Sequence, residues 1–448
     1  MKKSTLAQLT NRENQLVLTY APAGLGHLRI TDALYDGLPK TVNPVVLGSL
    51  DKSIQTLHRI TSIHPVGRAV FEWLQSGPLA GLANELYRAS LRWDTGQVYQ
   101  EMARLIDDRL DPLKKILVVS THFGLAHKLA AVKKKLEKDK GVRIVLVVFV
   151  SDDTFQHIWY VDGADLLVVA SEYTKRKYAA YGKRLGRKVR IEVSPYPLNP
   201  KWGKPLGAGG VREKTNQLNP KSKEPIHLSI PVSGAAVGTF FSSQLIAALR
   251  EKSSRFRFHI VSKDAPFTRI FLSQMEGKSW VDLHVGKKDR EVVDQYDHLL
   301  DKHVISLEVT KPSEQAFKAI LGTQSRGGVI MLFSRPVGQQ EFDNLDFLGR
   351  HALIPSKATN AQLQDMTGDG IPMDLGLRAR LFDTARTWRG VRIPWEAHKA
   401  ADFIWWLLTS GMLAQMMAGG QTRAGRGGNA ELQGSSSVDE FWDLATSA

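Results

Sequence analysis

The sequence predicts an α/β protein made of two doubly wound, Rossmann-like domains in tandem. Three observations carry this expectation. Short runs rich in Val, Ile and Leu alternate with helical patterns, and uninterrupted apolar strands joined by helices mark a parallel sheet covered on both faces. The rhythm breaks over residues 201–225, where Gly203, Gly207, Gly209, Gly210, Pro205, Pro220 and Pro225 lie among lysines, and then restarts. Small-residue turns follow several of the runs, at the strand ends where open α/β sheets hold ligands.

In the first half, the expected strands are Gln15–Ala21, Val45–Leu47, Ile116–Ser120, Arg143–Val150, Ala164–Ala170 and Val189–Val193. In the second half they are Ile226–Val232, Arg257–Val261, Val281–Val285, Val304–Val309 and Val329–Phe333. From Ala361 onward the pattern is helical. The expected organisation is a first domain over 1–200, a linker over 201–225, a second domain over 226–395, an apolar helix over 396–418 and a flexible tail over 419–448. The tail is rich in Gly, Ser and Arg up to Ser437; Phe441 and Trp442 beyond it either dock or fray.

Composition narrows the function. Of 448 residues, 43% are hydrophobic and 23% charged, which excludes wholesale disorder. With no cysteine, disulfides, a thiol nucleophile and thiolate metal ligation are excluded. The net charge of +15 predicts anionic partners: nucleic acid, nucleotide phosphates or an acidic membrane. The first 200 residues hold 29 basic against 19 acidic side chains, and the rest 31 against 26. The excess includes Lys133-Lys134-Lys135, Lys138, Lys140 and the stretch Lys183 to Arg190, each also readable as a solvated surface. The apolar stretch Phe403 to Ala418 falls short of the roughly 20 residues a spanning helix needs. It is expected to be a buried or interfacial helix, with no transmembrane span and no signal peptide in the chain.

The candidate chemistry follows the strands. The first run ends in Ala21-Pro22-Ala23-Gly24-Leu25-Gly26-His27 at a helix start. The turn lacks the third glycine of a dinucleotide fingerprint and the Lys-Ser/Thr of a P-loop. His27 reads as a general base or as a cap beside a tight turn. After the fourth strand come Asp152, Asp153, His157 and Trp159: either Asp153 and His157 orient a substrate hydroxyl, or an Asp caps a helix while His157 packs on Trp159. In the second half, Ser233-Gly234-Ala235-Ala236-Val237-Gly238-Thr239 offers backbone N–H groups to a phosphate. Thr310, Lys311 and Ser313 lie after a strand, and Gln340, Glu341 and Asn344 share one helical face with groups suited to a sugar or ribose.

This ordered set resembles the GT-B glycosyltransferases that include monogalactosyldiacylglycerol synthases, processive diacylglycerol glucosyltransferases and the lipid II-forming N-acetylglucosaminyltransferase. Gly24-Leu25-Gly26-His27 resembles the group's Gly-Gly-x-Gly-His turn. The stretch from Val150 through Asp153, His157, Trp159 and Asp165 to Tyr173 resembles its Thr-Asp-x-x-x-His…Trp segment. Ser194-Pro195-Tyr196-Pro197 resembles its Gly-x-Pro element, and Pro336-Val337-Gly338-Gln339-Gln340-Glu341-x-x-Asn344 its donor-site motif. The resemblance spans residues 15–355.

The resemblance implies two Rossmann-like domains facing across a cleft, with a nucleotide sugar, uridine diphosphate-linked, held by the second. Its donor contacts would be Ser233, Gly234, Gly238, Thr239, Thr310, Lys311, Ser313, Glu314, Gln340, Glu341 and Asn344. Gly24, Gly26, His157 and Trp159 would line the acceptor side, with His27 and Asp153 as catalytic groups for inverting transfer to a lipid hydroxyl such as that of diacylglycerol. No cofactor or metal is implied. The protein would lie on the cytoplasmic face of a membrane. There Leu57, Ile60, Phe71, Trp73, Leu86 and Tyr87 would enter the headgroup region while Arg59, Arg68, Arg88 and Arg92 meet lipid phosphates, the alternative for the segment being a pair of amphipathic core helices.

The sequence departs from the group at Lys311-Pro312-Ser313-Glu314-Gln315-Ala316, which lacks two glycines and a Thr. Lys318 and Ala319 stand where the group has a ribose-binding Glu. A soluble transferase, a nucleotide-sugar epimerase and a non-catalytic sugar-nucleotide binder therefore stay open as alternatives. Nucleic acid is not expected as a partner, because no aromatic-basic binding module is present.

Overall fold

The computed structural model describes residues 1–20, 25–48, 91–92, 95–232, 236–333, 338–367, 375–419, 430–432 and 437–448. The chain divides into two compact units, Met1–Asn199 with Ser436–Ala448, and Pro200–Ser435.

The first unit holds a parallel sheet of β1 (Asn14–Tyr20), β2 (Val45–Gly48), β3 (Lys115–Ser120), β4 (Arg143–Phe149), β5 (Leu166–Val169) and β6 (Arg190–Val193), in the order β2-β1-β3-β4-β5-β6. The strands form because their side chains are β-branched or apolar on both faces: Val145 to Val150 and Leu166 to Ala170 are all fully buried. Helices between them follow the expected chemistry. The helix Phe123–Lys140 starts at His122, whose ring accepts from the Leu125 N–H, and ends at Gly141 in the left-handed region, φ 63°. Its lysine run is partly structural. Lys133 pairs with Asp165 at 2.5 Å, Lys140 with Asp107 at 2.6 Å, and Lys135 lies over the Tyr99 ring.

The C-terminal tail corrects an expectation. Residues 437–446 form a helix whose Val438, Phe441, Trp442 and Ala445 recur at helical spacing and are buried in the first unit. Trp442 Nε1 donates to the Leu34 carbonyl at 3.1 Å, and Asp443 accepts from Thr5 Oγ1 and the Lys2 N–H.

The second unit repeats the plan with β7 (Ile226–Pro231), β8 (Phe256–Lys263), β9 (Val281–Gly286), β10 (Leu307–Thr310), β11 (Val329–Leu332) and β12 (Gly390–Arg392), in the order β12-β11-β10-β7-β8-β9, all parallel. The three-residue β12 lies inside the stretch read as helical; it is too short to show a period. The single apolar helix expected over 396–418 is two, Ala397–Thr409 and Met412–Gly419, broken at Gly411 (φ 84°); Phe403, Leu407, Met412 and Met416 enter the core, so the stretch is buried in this unit rather than interfacial. Among the described residues, no helix is long and apolar enough to cross a membrane.

The expected linker is also structured. Gly207–Gln217 is a helix. From it, Lys214 enters the interior and donates to the carbonyls of Thr323, Ser325 and Gly327 at 3.1, 2.7 and 2.6 Å. Burial draws its ammonium down to about 7. A ring of three carbonyls opposes that loss.

A second buried ionic group sits on the central strands. Glu308 of β10 pairs with Lys318, accepts from Tyr296 Oη at 2.5 Å and from the Gly328 N–H at 3.0 Å, and is joined by Ser229 Oγ at 3.3 Å. The Lys318 charge and these donors hold the Glu308 carboxyl below its usual range although desolvation alone would raise it. Removing one partner strands the other charge. Glu308→Gln and Lys318→Met should each lower unfolding free energy in urea by about 3–5 kcal/mol. The double variant should recover most of that loss.

Candidate functional site

In the first unit, the helix Leu25–Asp36 begins four residues after β1, so His27 sits in its first turn at the strand ends. Its Nδ1 lies 2.7 Å from the Thr121 carbonyl, just past β3. A carbonyl only accepts, so Nδ1 carries the proton and the lone pair resides on Nε2. Thr31 Oγ1 lies 2.9 Å from both the His27 carbonyl and Thr121 Oγ1, fixing the helix to this loop. The His27 ring meets His122 edge-on at 4.9 Å and lies 6.0 Å from Trp159. Phe123 contacts both His122 and Trp159. The structure thus brings His27, Gly26 and Trp159 to one end of the sheet and adds His122 and Phe123, which the sequence analysis did not single out. Their signal was available: Ser120-Thr121-His122-Phe123-Gly124 is another strand-to-helix turn.

Asp153 and His157 are placed differently. Asp153 is 2% exposed, and its Oδ1 accepts from Ser171 Oγ at 2.6 Å and Thr174 Oγ1 at 2.7 Å. That carboxylate ties the loop after β4 to the start of the helix Glu172–Arg184. His157 stacks on Tyr181 at 4.1 Å with planes 5° apart. Gly24 lies outside the described residues.

In the second unit, the turn after β7 reaches the helix Thr239–Lys252 through Ala236 (φ 54°) and Gly238 (φ 89°). Residues with positive φ before a helix turn successive N–H groups to one side, a concavity suited to a phosphate. Gly238 is required for a second reason: a Cβ there would lie 2.3 Å from the Phe333 ring, which stacks on Phe241 at 5.1 Å. Ser233 and Gly234 lie outside the described residues.

The other donor-side candidates converge on the ends of β10 and β11. Thr310 is buried and its carbonyl accepts from the Phe333 N–H at 3.0 Å. Lys311 forms an ion pair with Glu341, and Asn344 Nδ2 donates to the Pro312 carbonyl at 3.1 Å. Glu341 and Asn344 both face inward from the helix Gln339–Arg350, as their spacing predicted, while Gln340 is half-buried. Ser313 and Glu314 stand half-buried where the chain enters a short 3₁₀ helix, Glu314–Ile320. Lys318, which with Ala319 stands where the resembled group has its Glu, turns inward to Glu308. Two helix N-termini, at Thr239 and Gln339, and the Lys311 ammonium thus supply positive potential at this end of the sheet; Glu341 offsets part of it.

No family model matches the chain, and no curated protein matches it. Among solved structures it is similar to the UDP-GlcNAc 2-epimerase from Neisseria meningitidis bound to UDP-GlcNAc, with 10% identity, a TM-score of 0.45 and coverage of 97% of this chain and 99% of that one. Anabaena Alr3699/HepE in complex with UDP and glucose gives the same values. A UDP-glucosyltransferase from Polygonum tinctorium gives 10% identity, a TM-score of 0.43 and coverage of 97% and 99%. The chain's own architecture is two units, each built on a six-stranded parallel sheet with flanking helices.

The Gly238 contact gives a direct test of the turn. Gly238→Ala should lower stability by about 1–3 kcal/mol through the strained φ and the Phe333 clash. A lowered urea midpoint with unchanged slope would report it.

Proposed function

We propose that the second unit binds a uridine diphosphate sugar and that the protein transfers the sugar, with inversion, to a hydroxyl acceptor. The observation that carries this reading is the His27 imidazole, anchored through Nδ1 to the Thr121 carbonyl so that Nε2 is the basic nitrogen. In the step, the acceptor oxygen attacks the anomeric carbon while Nε2 takes the hydroxyl proton. The bond from that carbon to the diphosphate oxygen breaks, and the leaving group departs with the electron pair. Within the second unit, the Gly238–Thr239 turn, the N-terminus at Gln339 and Lys311 are the groups suited to the diphosphate's charge. The Glu341–Lys311 pair and the Asn344 bond to Pro312 hold that loop ready. Glu314 stands in for the ribose ligand whose position Lys318 has vacated.

For the acceptor we propose a lipid hydroxyl presented at the cytoplasmic face of a membrane. Support comes from the basic excess in the first 200 residues and from the Arg-interleaved apolar segment 51–93, most of which lies outside the described residues. The inward turn of Lys318 favours a second reading, a sugar-nucleotide binder without transfer.

Three measurements separate these readings. Radiolabelled sugar nucleotides incubated with mixed lipids should place label in the organic phase; donor hydrolysis or epimerisation alone would point to a small-molecule enzyme, and no turnover to a binder. His27→Ala should lower turnover about 10²–10⁴-fold with donor affinity unchanged. Liposome co-sedimentation should rise with anionic lipid and fall with added salt; indifference to lipid charge would remove the membrane acceptor.

A further inference from the structure

The second unit carries a group of histidines that the proposed chemistry does not use. His227 lies on β7, His259 on β8 and His303 just past the helix Asp289–Lys302. His227 pairs with Arg257 in the strand register and Ser229 with His259, so the two imidazoles, two positions apart, emerge on one face of the sheet. His303 joins them there: its ring centroid lies 4.6 Å from that of His259 and 5.2 Å from that of His227. One ring nitrogen from each of the three lies within 4.8 Å of the others.

We propose that His227, His259 and His303 bind one divalent transition-metal ion, with zinc the ion of choice. Nitrogens around a tetrahedral zinc sit about 3.4 Å apart, given Zn–N bonds of about 2.0–2.1 Å. The widest pair must therefore close by at most about 1.4 Å, within reach of ring rotation at His303, which is half-buried at a helix end. The donor set decides the class of ion. Three imidazoles suit zinc, nickel, cobalt or copper(II), whereas magnesium and calcium demand oxygen ligands.

Two further observations point to a ligand rather than to histidine packing alone. His227 Nδ1 lies 2.8 Å from His259 Nε2, so the pair can share one N–H···N bond. The pair is enclosed, and the far nitrogen of His259, Nδ1, is buried with no hydrogen-bond partner, which a structure rarely tolerates. In addition, Asp282 Oδ2 stands 3.3 Å from His259 Nδ1, too poorly aligned for a hydrogen bond but placed to accept one after a small ring rotation. A carboxylate on the far nitrogen fixes Nε2 as the ligating atom, the arrangement that supports metal-bound histidines.

Access and protonation agree with this. A cavity of about 350 Å³ is walled by Asp282, His284, Lys302 and His303, giving an ion and its waters a route to the group. Burial disfavours the charged form of His227, His259 and His303 alike. On binding, His259 gives its Nε2 lone pair and His227 moves its ring proton from Nδ1 to Nε2. No net proton is released.

The full chain, freed of metal by chelator dialysis, should be titrated with CoCl₂ and then ZnCl₂. The expected result is one Co²⁺ per chain with the visible absorption of a tetrahedral nitrogen site, bleached by zinc. His303→Gln should weaken Co²⁺ binding by at least about tenfold, and Asp282→Asn by about tenfold. Both should keep the metal-free circular dichroism spectrum and melting temperature. Zinc should raise the melting temperature of the parent and not of His303→Gln. If His259→Gln fails to fold, the His303 variant still decides. No cobalt spectrum, or one undiminished in His303→Gln, would overturn the proposal.

Discussion

A full negative charge inside a parallel sheet is the constraint on which the second unit turns. Glu308 occupies β10, the strand between β11 and β7, where water cannot reach it. It is tolerable only because Lys318, Tyr296, Ser229 and the Gly328 N–H converge on it. Those partners come from a 3₁₀ turn, a helix, a neighbouring strand and the approach to β11. Satisfying one carboxylate therefore sets the relative positions of four segments. The loop carrying Lys311 and Pro312 spans from Thr310 to that turn, so both of its ends are held. Its remaining freedom is removed by Glu341 and Asn344. Rigid loops at strand ends are what a diphosphate site needs, because donors that are already oriented lose little on binding.

Much of the fold was legible because burial on both faces of a parallel strand demands long apolar runs. Ile144 to Val150 and Val329 to Phe333 show this with no help from tertiary context. What the sequence hid has one physical character: polar residues whose partners are distant in the chain. Lys214 reads as a solvated lysine in a glycine-rich linker until three carbonyls more than a hundred residues away surround it. Lys318 reads as a lost ligand until Glu308 is found beside it. Asp153 has the spacing of a catalytic acid, yet two hydroxyls about twenty residues on take its oxygen. The helix at 437–446 was hidden by its neighbours instead; its own spacing of Val438, Phe441, Trp442 and Ala445 was amphipathic, but the Gly-rich stretch before it set the expectation.

The two candidate sites were legible to different degrees. In the second unit, inward-facing Glu341 and Asn344 followed from helical spacing alone. In the first, His27 was readable from a strand-turn-helix pattern, but its tautomer was not. Which nitrogen is basic depends on a carbonyl at Thr121, 94 residues away, and no local pattern carries that information. Chemical identity at a histidine is thus a tertiary property even where its position is a secondary one.

The helix Ser437–Thr446 has a consequence for how the chain acquires its structure. It belongs to the unit made mostly of residues 1–199, and Trp442, Phe441 and Val438 fill that unit's interior. A growing chain emerges in order, so the first unit stays without part of its core while the whole second unit is made. At synthesis rates of about 5–20 residues per second, that interval is about 12–50 seconds. Through it, Leu34, Gly37 and Phe149 await their partners. The first unit to be synthesised is consequently the last to be finished, and until then the apolar surface that Val438, Phe441 and Trp442 cover lacks its partners.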